Sequence, residues 1–278
     1  MLSYRHMPPP PLDRLIEVIW VMETGPSPHT KERLLPDGSV EFVFDLNEGA
    51  FPIFSRENLD RREVFRGNVL CGPHSQPFAI DTSVGTSIAG IHFKPGGARP
   101  FVKLPFGELH NSHVGLESLW GQAATNRIRE QLLEAQTPES KARVLERTLL
   151  ACAPMPVRHP AVAFALSEFR ATPETQKISE VTEKIGLSPR RFITLFRDEI
   201  GLTPKLFCRV RRFQKVLRQI SAGQPVNWSD LALKCGYFDQ AHFIHDFRDF
   251  SGINPSTYTA DYRGHANHVP IKPASTKS

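Results

Sequence analysis

Residues 236–258 read Gly236-Tyr-Phe-Asp-Gln-Ala-His-Phe-Ile-His-Asp-Phe-Arg-Asp-Phe-Ser-Gly-Ile-Asn-Pro-Ser-Thr-Tyr258. Part of this pattern already stands earlier in the chain. Phe243, Phe247, Arg248, Asp249, Gly252 and Pro255 repeat Phe192, Phe196, Arg197, Asp198, Gly201 and Pro204, all at an offset of 51 residues. A pattern that recurs in register marks one structural unit used twice.

Each unit opens with a short amphipathic run, 178–185 or 229–235, that stops at a glycine, Gly186 or Gly236. Glycine supplies the left-handed residue that ends a helix. A second helix follows at once. Ser188 with Pro189 starts it in the first unit and Asp239 caps it in the second. Helix, glycine turn, helix is the helix-turn-helix pattern. On each second helix, phenylalanines at helical spacing (Phe192 and Phe196, Phe243 and Phe247) predict a buried stripe. The opposite face carries Ser188, Arg190, Arg191 and Thr194 in the first unit, and Gln240, His242 and His245 in the second. These side chains can hydrogen-bond to base edges. A solvated face on an ordinary helical bundle is the plainer reading, and finding the same arrangement twice weighs against it. Ile193 and Ile244 occupy equivalent slots, suited to helix packing or to thymine methyls.

The units are joined by a run from Thr203-Pro204 to Arg218 with basic residues and no acidic one after the cap. About 18 helical residues span roughly 27 Å. That length suits two recognition helices set about one DNA turn apart, roughly 34 Å. Arg197, Lys205, Arg209, Arg211, Arg212 and Arg248 are the expected phosphate contacts.

Residues 160–263 resemble the DNA-binding domain of the AraC/XylS family of bacterial transcription regulators. The resemblance rests on Gly186-Leu-Ser188, Phe192, Phe196-Arg197, Gly201-x-x-Pro204 and the basic connector. In the second unit it rests on Gly236-Tyr-Phe-Asp-Gln-Ala-His-Phe243, Phe247-Arg248, Gly252-Ile-Asn-Pro255 and Tyr258. His245 stands in a slot where relatives more often carry Arg. The resemblance implies binding to double-stranded DNA, contacts with RNA polymerase if the protein is an activator, and an N-terminal β-rich, cupin-like sensor half.

The rest of the chain is consistent with that order. Residues 157–263 hold 16 Lys and Arg against 11 Asp and Glu, so the basic surplus lies with the repeat. Surplus positive charge on one domain suits a nucleic-acid partner. No apolar stretch is long enough to span a membrane and no signal core opens the chain, so a cytoplasmic location is expected. Cys71, Cys152, Cys208 and Cys235 lack metal-ligand spacing and read as reduced thiols.

Residues 1–110 carry short alternating runs, such as 39–46, 69–72, 78–81 and 87–93, punctuated by Gly and Pro. The expected fold class is therefore α+β: a β-rich domain over 1–152 with helices at its end, then an all-α domain over 161–263. A proline-rich linker falls at 153–160, because three prolines cannot continue a helix. The tail 264–278 is polar and Pro/Lys-rich and is expected to be disordered. The helices of 115–150 either mediate a homodimer or close the floor of the β domain.

No His-x-His cluster appears. His110-x-x-His113 reads as a surface or capping pair, so neither metal nor cofactor is expected. Asp37, Glu41 and Asp45 read as turn residues and a solvated strand face. Gly-x-Ser-x-Gly, Walker and Cys/His nucleophile patterns are missing. The expected function is a DNA-binding transcription regulator and not an enzyme. A small-molecule effector would sit in the N-terminal domain, with Phe42, Phe44, Ile88 and Ile91 as candidate pocket residues. The alternatives are a cupin-like enzyme, or a ligand-binding protein, tethered to DNA. The fragment 157–263 is expected to bind duplex DNA by itself.

Overall fold

A computed structural model describes residues 2–27, 31–47, 51–54, 62–65, 67–152, 158–171, 178–223 and 226–272. The N-terminal half is two facing antiparallel sheets. Its strands are β1 (Leu2–His6), β2 (Ile16–Thr24), β3 (Lys31–Leu34), β4 (Glu41–Asp45), β5 (Phe51–Phe54), β6 (Arg62–Phe65), β7 (Asn68–Cys71), β8 (Phe78–Asp81), β9 (Thr86–Phe93) and β10 (His113–Gly115). The first sheet runs β1-β2-β9-β4-β7-β10, and the second contains β3-β8-β5-β6. This is the cupin-like, β-rich half followed by helices that the resemblance implied.

Strand alternation assigns the faces. On β4, Phe42 and Phe44 are fully buried, and so are their cross-strand neighbours Leu70, Ile91 and Ala89. Three helices cover this face: α1 (Glu117–Trp120), α2 (Gln122–Glu134) and α3 (Pro138–Cys152). Ile128, Leu132, Leu145 and Leu149 from α2 and α3 complete that core. Phe42 meets Phe93 and Trp120 edge-on at 4.7 and 5.1 Å. Most of the apolar residues of 115–150 thus close the β domain, while Leu133 and Leu150 stay exposed.

The other face of the first sheet looks across to the second. Here Trp20, Met22, Val43 and His92 stay half-buried, although they lie on interior strands. Opposite them Leu34, Phe78 and Ile80 are also half-buried. The space between the sheets is therefore a partly filled cup, less closely packed than the helix-covered face, with Val18, Val69 and Ile88 buried on the same side. Gly90 shapes its floor: a Cβ there would lie 2.2 Å from Cζ2 of Trp20, so only glycine lets the indole lie across β9.

The C-terminal half contains α4 (Pro160–Ala171), α5 (Ile178–Ile185), α6 (Pro189–Ile200), α7 (Pro204–Ser221), α8 (Trp228–Lys234), α9 (Gln240–Ser251) and α10 (Pro255–Asp261). The caps are those the sequence requires. Ser188 Oγ accepts from Arg191 N at 3.4 Å, and Asp239 Oδ1 accepts from His242 N at 2.7 Å. Gly201 and Gly252 end α6 and α9 with φ of 89° and 71°. Phe192, Phe196, Phe243 and Phe247 are all fully buried, so the repeated phenylalanines form the core of both units.

The tail expectation is corrected. Residues 264–272 are placed, and His268–Pro270 form a strand, β11, paired antiparallel with β3 at the edge of the second sheet. Leu35 N donates to Asn267 O at 2.8 Å and Ile271 N to Lys31 O at 2.9 Å. Val269 and Leu35 are both buried in the core of the helical half. The gain is entirely tertiary, through main-chain bonds and one buried valine. Local composition therefore carries no sign of it. Residues 273–278, and 153–157 of the expected linker, lie outside the described residues.

The stability of the chain should reflect this. Truncation after residue 263 is expected to destabilise the full chain by about 1.5–3 kcal/mol, the worth of burying one valine. Urea denaturation of the full and truncated chains checks this, and identical midpoints would contradict it.

Candidate nucleic-acid interface

The first helix-turn-helix unit presents Ser188, Arg190, Arg191 and Thr194 at the exposed N-terminal end of α6. Ser188 is already occupied as a cap, which leaves the two arginines and Thr194 as the exposed polar groups of this face. Ile193 is exposed beside them, whereas its counterpart Ile244 packs against the core.

In the second unit Gln240 and His245 are exposed and His242 is half-buried. Ser229 Oγ lies 2.8 Å from Gln240 Oε1, tying the side chain back to α8. Phe238 N donates to His242 Nδ1 at 3.4 Å. A backbone N–H only donates, so Nδ1 must accept and Nε2 carries the proton. His242 then presents a donor at Nε2. Phe238 is 86 % exposed on the same turn, an aromatic that periodicity did not single out.

The expected phosphate set divides. Lys205 is exposed. Arg209 and Arg212 are corrected: they are structural ties from α7 to the second unit. Arg209 Nη2 donates to Asp246 Oδ1 at 2.6 Å and to Asp249 Oδ2 at 3.0 Å. Arg212 donates to Gly236 O at 3.1 Å and lies over the Tyr237 ring. The reason is Asp246, which is buried in α9 and needs a cation. Arg248 is hydrogen-bonded to Asn254. Arg211 is half-buried. Arg197 packs along Gly107 and donates to its carbonyl at 3.4 Å, so the C-terminal end of α6 is docked on the N-terminal half.

That docking is glycine-tight. Gly201 lies against Pro73, and Gly38 against Leu202 and Val210. Gln214 Nε2 donates to Pro36 O at 2.9 Å. The two halves form one body, with the N-terminal ends of α6 and α9 left free.

The pocket candidates are also corrected. Phe42, Phe44 and Ile91 lie on the helix-covered face and are core. Ile88 is on the opposite face, since it pairs with Met22 and Asp45 while Ile91 pairs with Ile19 and Phe42. Ile88 therefore keeps its place on the cup face, together with Trp20, Met22, Val43, Phe78 and Ile80, while the other three candidates do not.

The acidic and histidine readings change as well. Asp45 is buried, and desolvation raises its carboxyl above the usual range despite the bond from Asn47 N. Glu41 accepts from His92 Nδ1 at 2.7 Å, with Asp37 3.4 Å from Nε2. Burial opposes charge on His92, but Asp37, Glu41 and Glu17 together outweigh it and lift its pKa to about 9. His113 is not a surface residue: its ring lies 4.6 Å from that of His74, and both Nε2 atoms are buried without a partner. Among the described residues no group of three or more His, Cys, Asp or Glu is arranged to hold a metal ion.

Burial pushes His113 down to about 4 and His74 well below its ordinary value, with His113 and His110 adding to the latter shift. Both are neutral in the fold and gain protons on unfolding. Stability should therefore fall as pH drops below about 6.5, by roughly 2 kcal/mol at pH 5 from His113 alone. His92 acts oppositely, stabilising at low pH and losing its contribution as pH rises through 9. Urea midpoints at pH 5 and 7 test the first effect. A His113→Phe variant with an unchanged difference between them would refute it.

Residues 181–261 match a family described as a helix-turn-helix domain, and residues 4–115 match a domain of unknown function, DUF6597. A probable transcriptional regulator, LumQ, from Photobacterium leiognathi is 27% identical over 81 residues, covering 29% of this chain and 32% of the relative. An uncharacterized HTH-type transcriptional regulator from Haemophilus influenzae is 30% identical over 81 residues, covering 29% and 27%. The matched segment thus spans about a third or less of these curated relatives. The fold resembles ToxT from Vibrio cholerae with a TM-score of 0.50 at 9% identity, covering 87% of this chain and 98% of ToxT. ToxT bound to an unsaturated fatty acid gives 0.50 at 10% identity, over 89% and 96%. No described helix is long and apolar enough to cross a membrane.

Proposed function

We infer that this chain, a member of the AraC/XylS family by the double helix-turn-helix domain at its C-terminus, is a sequence-specific DNA-binding transcription regulator that acts in the cytoplasm. The observation that carries the reading is the pair of capped helices, α6 and α9. Both leave their N-terminal faces free and both are anchored to one 18-residue helix, α7. The cup between the sheets supports a small-molecule effector, and the fatty-acid-bound state of a fold neighbour favours the same role. The helical half reads DNA and the β half biases it.

Arg190, Arg191 and Thr194 read one half-site, and Gln240, His242 and His245 the adjacent one, with Lys205 on phosphate. Arginine pairs naturally with guanine, and a donor-only His242 favours acceptor edges. Each such contact is worth about 1–3 kcal/mol of discrimination. Selection of bound duplexes with the full chain should yield two half-sites about one helical turn apart. Arg191→Ala should relax specificity in one and His242→Ala in the other. Equal, weak affinity for all duplexes would refute the function. Changes at the same base pairs in both variants would refute the two-site arrangement.

A further inference from the structure

We propose that the C-terminal strand β11 is a wall of the effector cup, so that a small apolar molecule with a hydrogen-bond-donating head, seated there, acts on the second helix-turn-helix unit through that strand. The proposal rests on the reading of the N-terminal half as effector-binding.

Register places the two faces of β11. His268 pairs with Leu34, which pairs with Phe78, and Pro270 pairs with Glu32, which pairs with Ile80. Cross-strand partners share a face. Phe78 meets the His113 ring of the opposite sheet at 4.6 Å, so this face looks into the cup. Val269 pairs with Arg33 on the other face and is buried in the helical core with Leu35. One three-residue strand therefore touches the cup with His268 and the DNA-binding core with Val269.

Short ties connect β11 to the second unit. Tyr258 OH in α10 donates to Ala266 O at 2.8 Å, and Gln214 in α7 donates to Asn267 Oδ1 at 3.0 Å. Lys272 lies 2.5 Å from Asp261 at the end of α10. A displacement of β11 reaches α10 and α7 without passing through the linker at 153–160.

The lining sets the ligand class. Trp20, Met22, Val43, Phe78 and Ile80 supply apolar walls. Near β11 carboxylates outnumber cations: Glu32 is bonded to His268 Nδ1 at 2.9 Å, Glu32 and Glu41 both act on His265, and Glu41 and Asp37 together hold His92 charged. A phenol, alcohol or ammonium head fits such a rim, and a carboxylate head is repelled.

The test uses the full chain with 4-tert-butylphenol and 4-tert-butylbenzoate, two probes of one shape that differ in the head. Calorimetry is expected to show the phenol bound at least tenfold more tightly. The phenol should also shift affinity for the selected operator at least fivefold, within the range of ordinary allosteric coupling. Val269→Asp, and the milder Val269→Ala, change only the face of β11 that meets the helical core. Both should keep phenol affinity within about threefold. Their operator response should fall below twofold, with faster amide exchange at Leu35. Equal affinity for the two probes overturns the ligand class. A full operator response in a variant whose Leu35 amide exchanges freely overturns the role of β11. Binding of neither probe to the unaltered chain overturns the cup itself, and with it the effector reading.

Discussion

Asp246→Ala is expected to destabilise the protein by about 3 kcal/mol, at the lower edge of the range for breaking a buried ion pair. Asp246 has a side chain only 3% exposed in α9, where it receives Arg209 from the middle of α7. Without it the guanidinium keeps Asp249 and a partly open position, which is why the lower edge applies. The loss should concentrate on the second unit, because this pair fixes the angle between α7 and α9. Protection of the second half-site should then vanish before that of the first. Asp246→Asn should recover only part of the stability, since an amide accepts without carrying the charge. Replacing both partners with apolar residues, Arg209→Met with Asp246→Leu, should be milder than Asp246→Ala alone. Urea unfolding of the four proteins decides. A loss under 1 kcal/mol for Asp246→Ala would mean the pair contributes orientation and not stability.

Legibility followed the range of the interactions. The doubled unit was readable because its signals are local: a cap, a glycine with positive φ and phenylalanines four residues apart repeat within short windows. The β half was readable as strands for the same reason, but not as faces. Ile88 and Ile91 are three residues apart, so on a strand they point to opposite sides, and parity alone would have separated them. Which side was core depended on α2 and α3 folding back over Phe42 and Phe44, a contact across some 90 positions that no periodicity encodes. The basic connector misled in a related way. Arg209 and Arg212 look like phosphate contacts until the buried Asp246 and the carbonyl of Gly236 are seen to claim them. The strand at 268–270 was invisible because its partners, β3 and Leu35, lie more than 230 residues away in sequence.

Gly201→Ala is expected to cost roughly twice as much as Gly252→Ala, although the two residues are repeats of one another. Both end a recognition helix in the left-handed conformation, with φ of 89° and 71°. An L side chain there costs about 1–2 kcal/mol whatever surrounds it. At Gly252 that is the whole effect, since the nearest atoms to a new Cβ are the ends of Arg33 and Pro77 at 3.8 Å. At Gly201 the Cβ would stand 2.1 Å from Cγ of Pro73 and 3.0 Å from the carbonyl oxygen of Phe106. A pyrrolidine ring and a backbone carbonyl cannot swing aside, so α6 must lift from the N-terminal half. Arg197 would then leave Gly107 and become available to phosphate. Urea unfolding gives the cost, and amide exchange over residues 106–109 reports whether the contact has opened. The variant should also bind nonspecific duplex somewhat more tightly at low salt, because one more cation is free. Equal costs at the two glycines, with unchanged exchange at 106–109, would show that the first unit is not held by the N-terminal half.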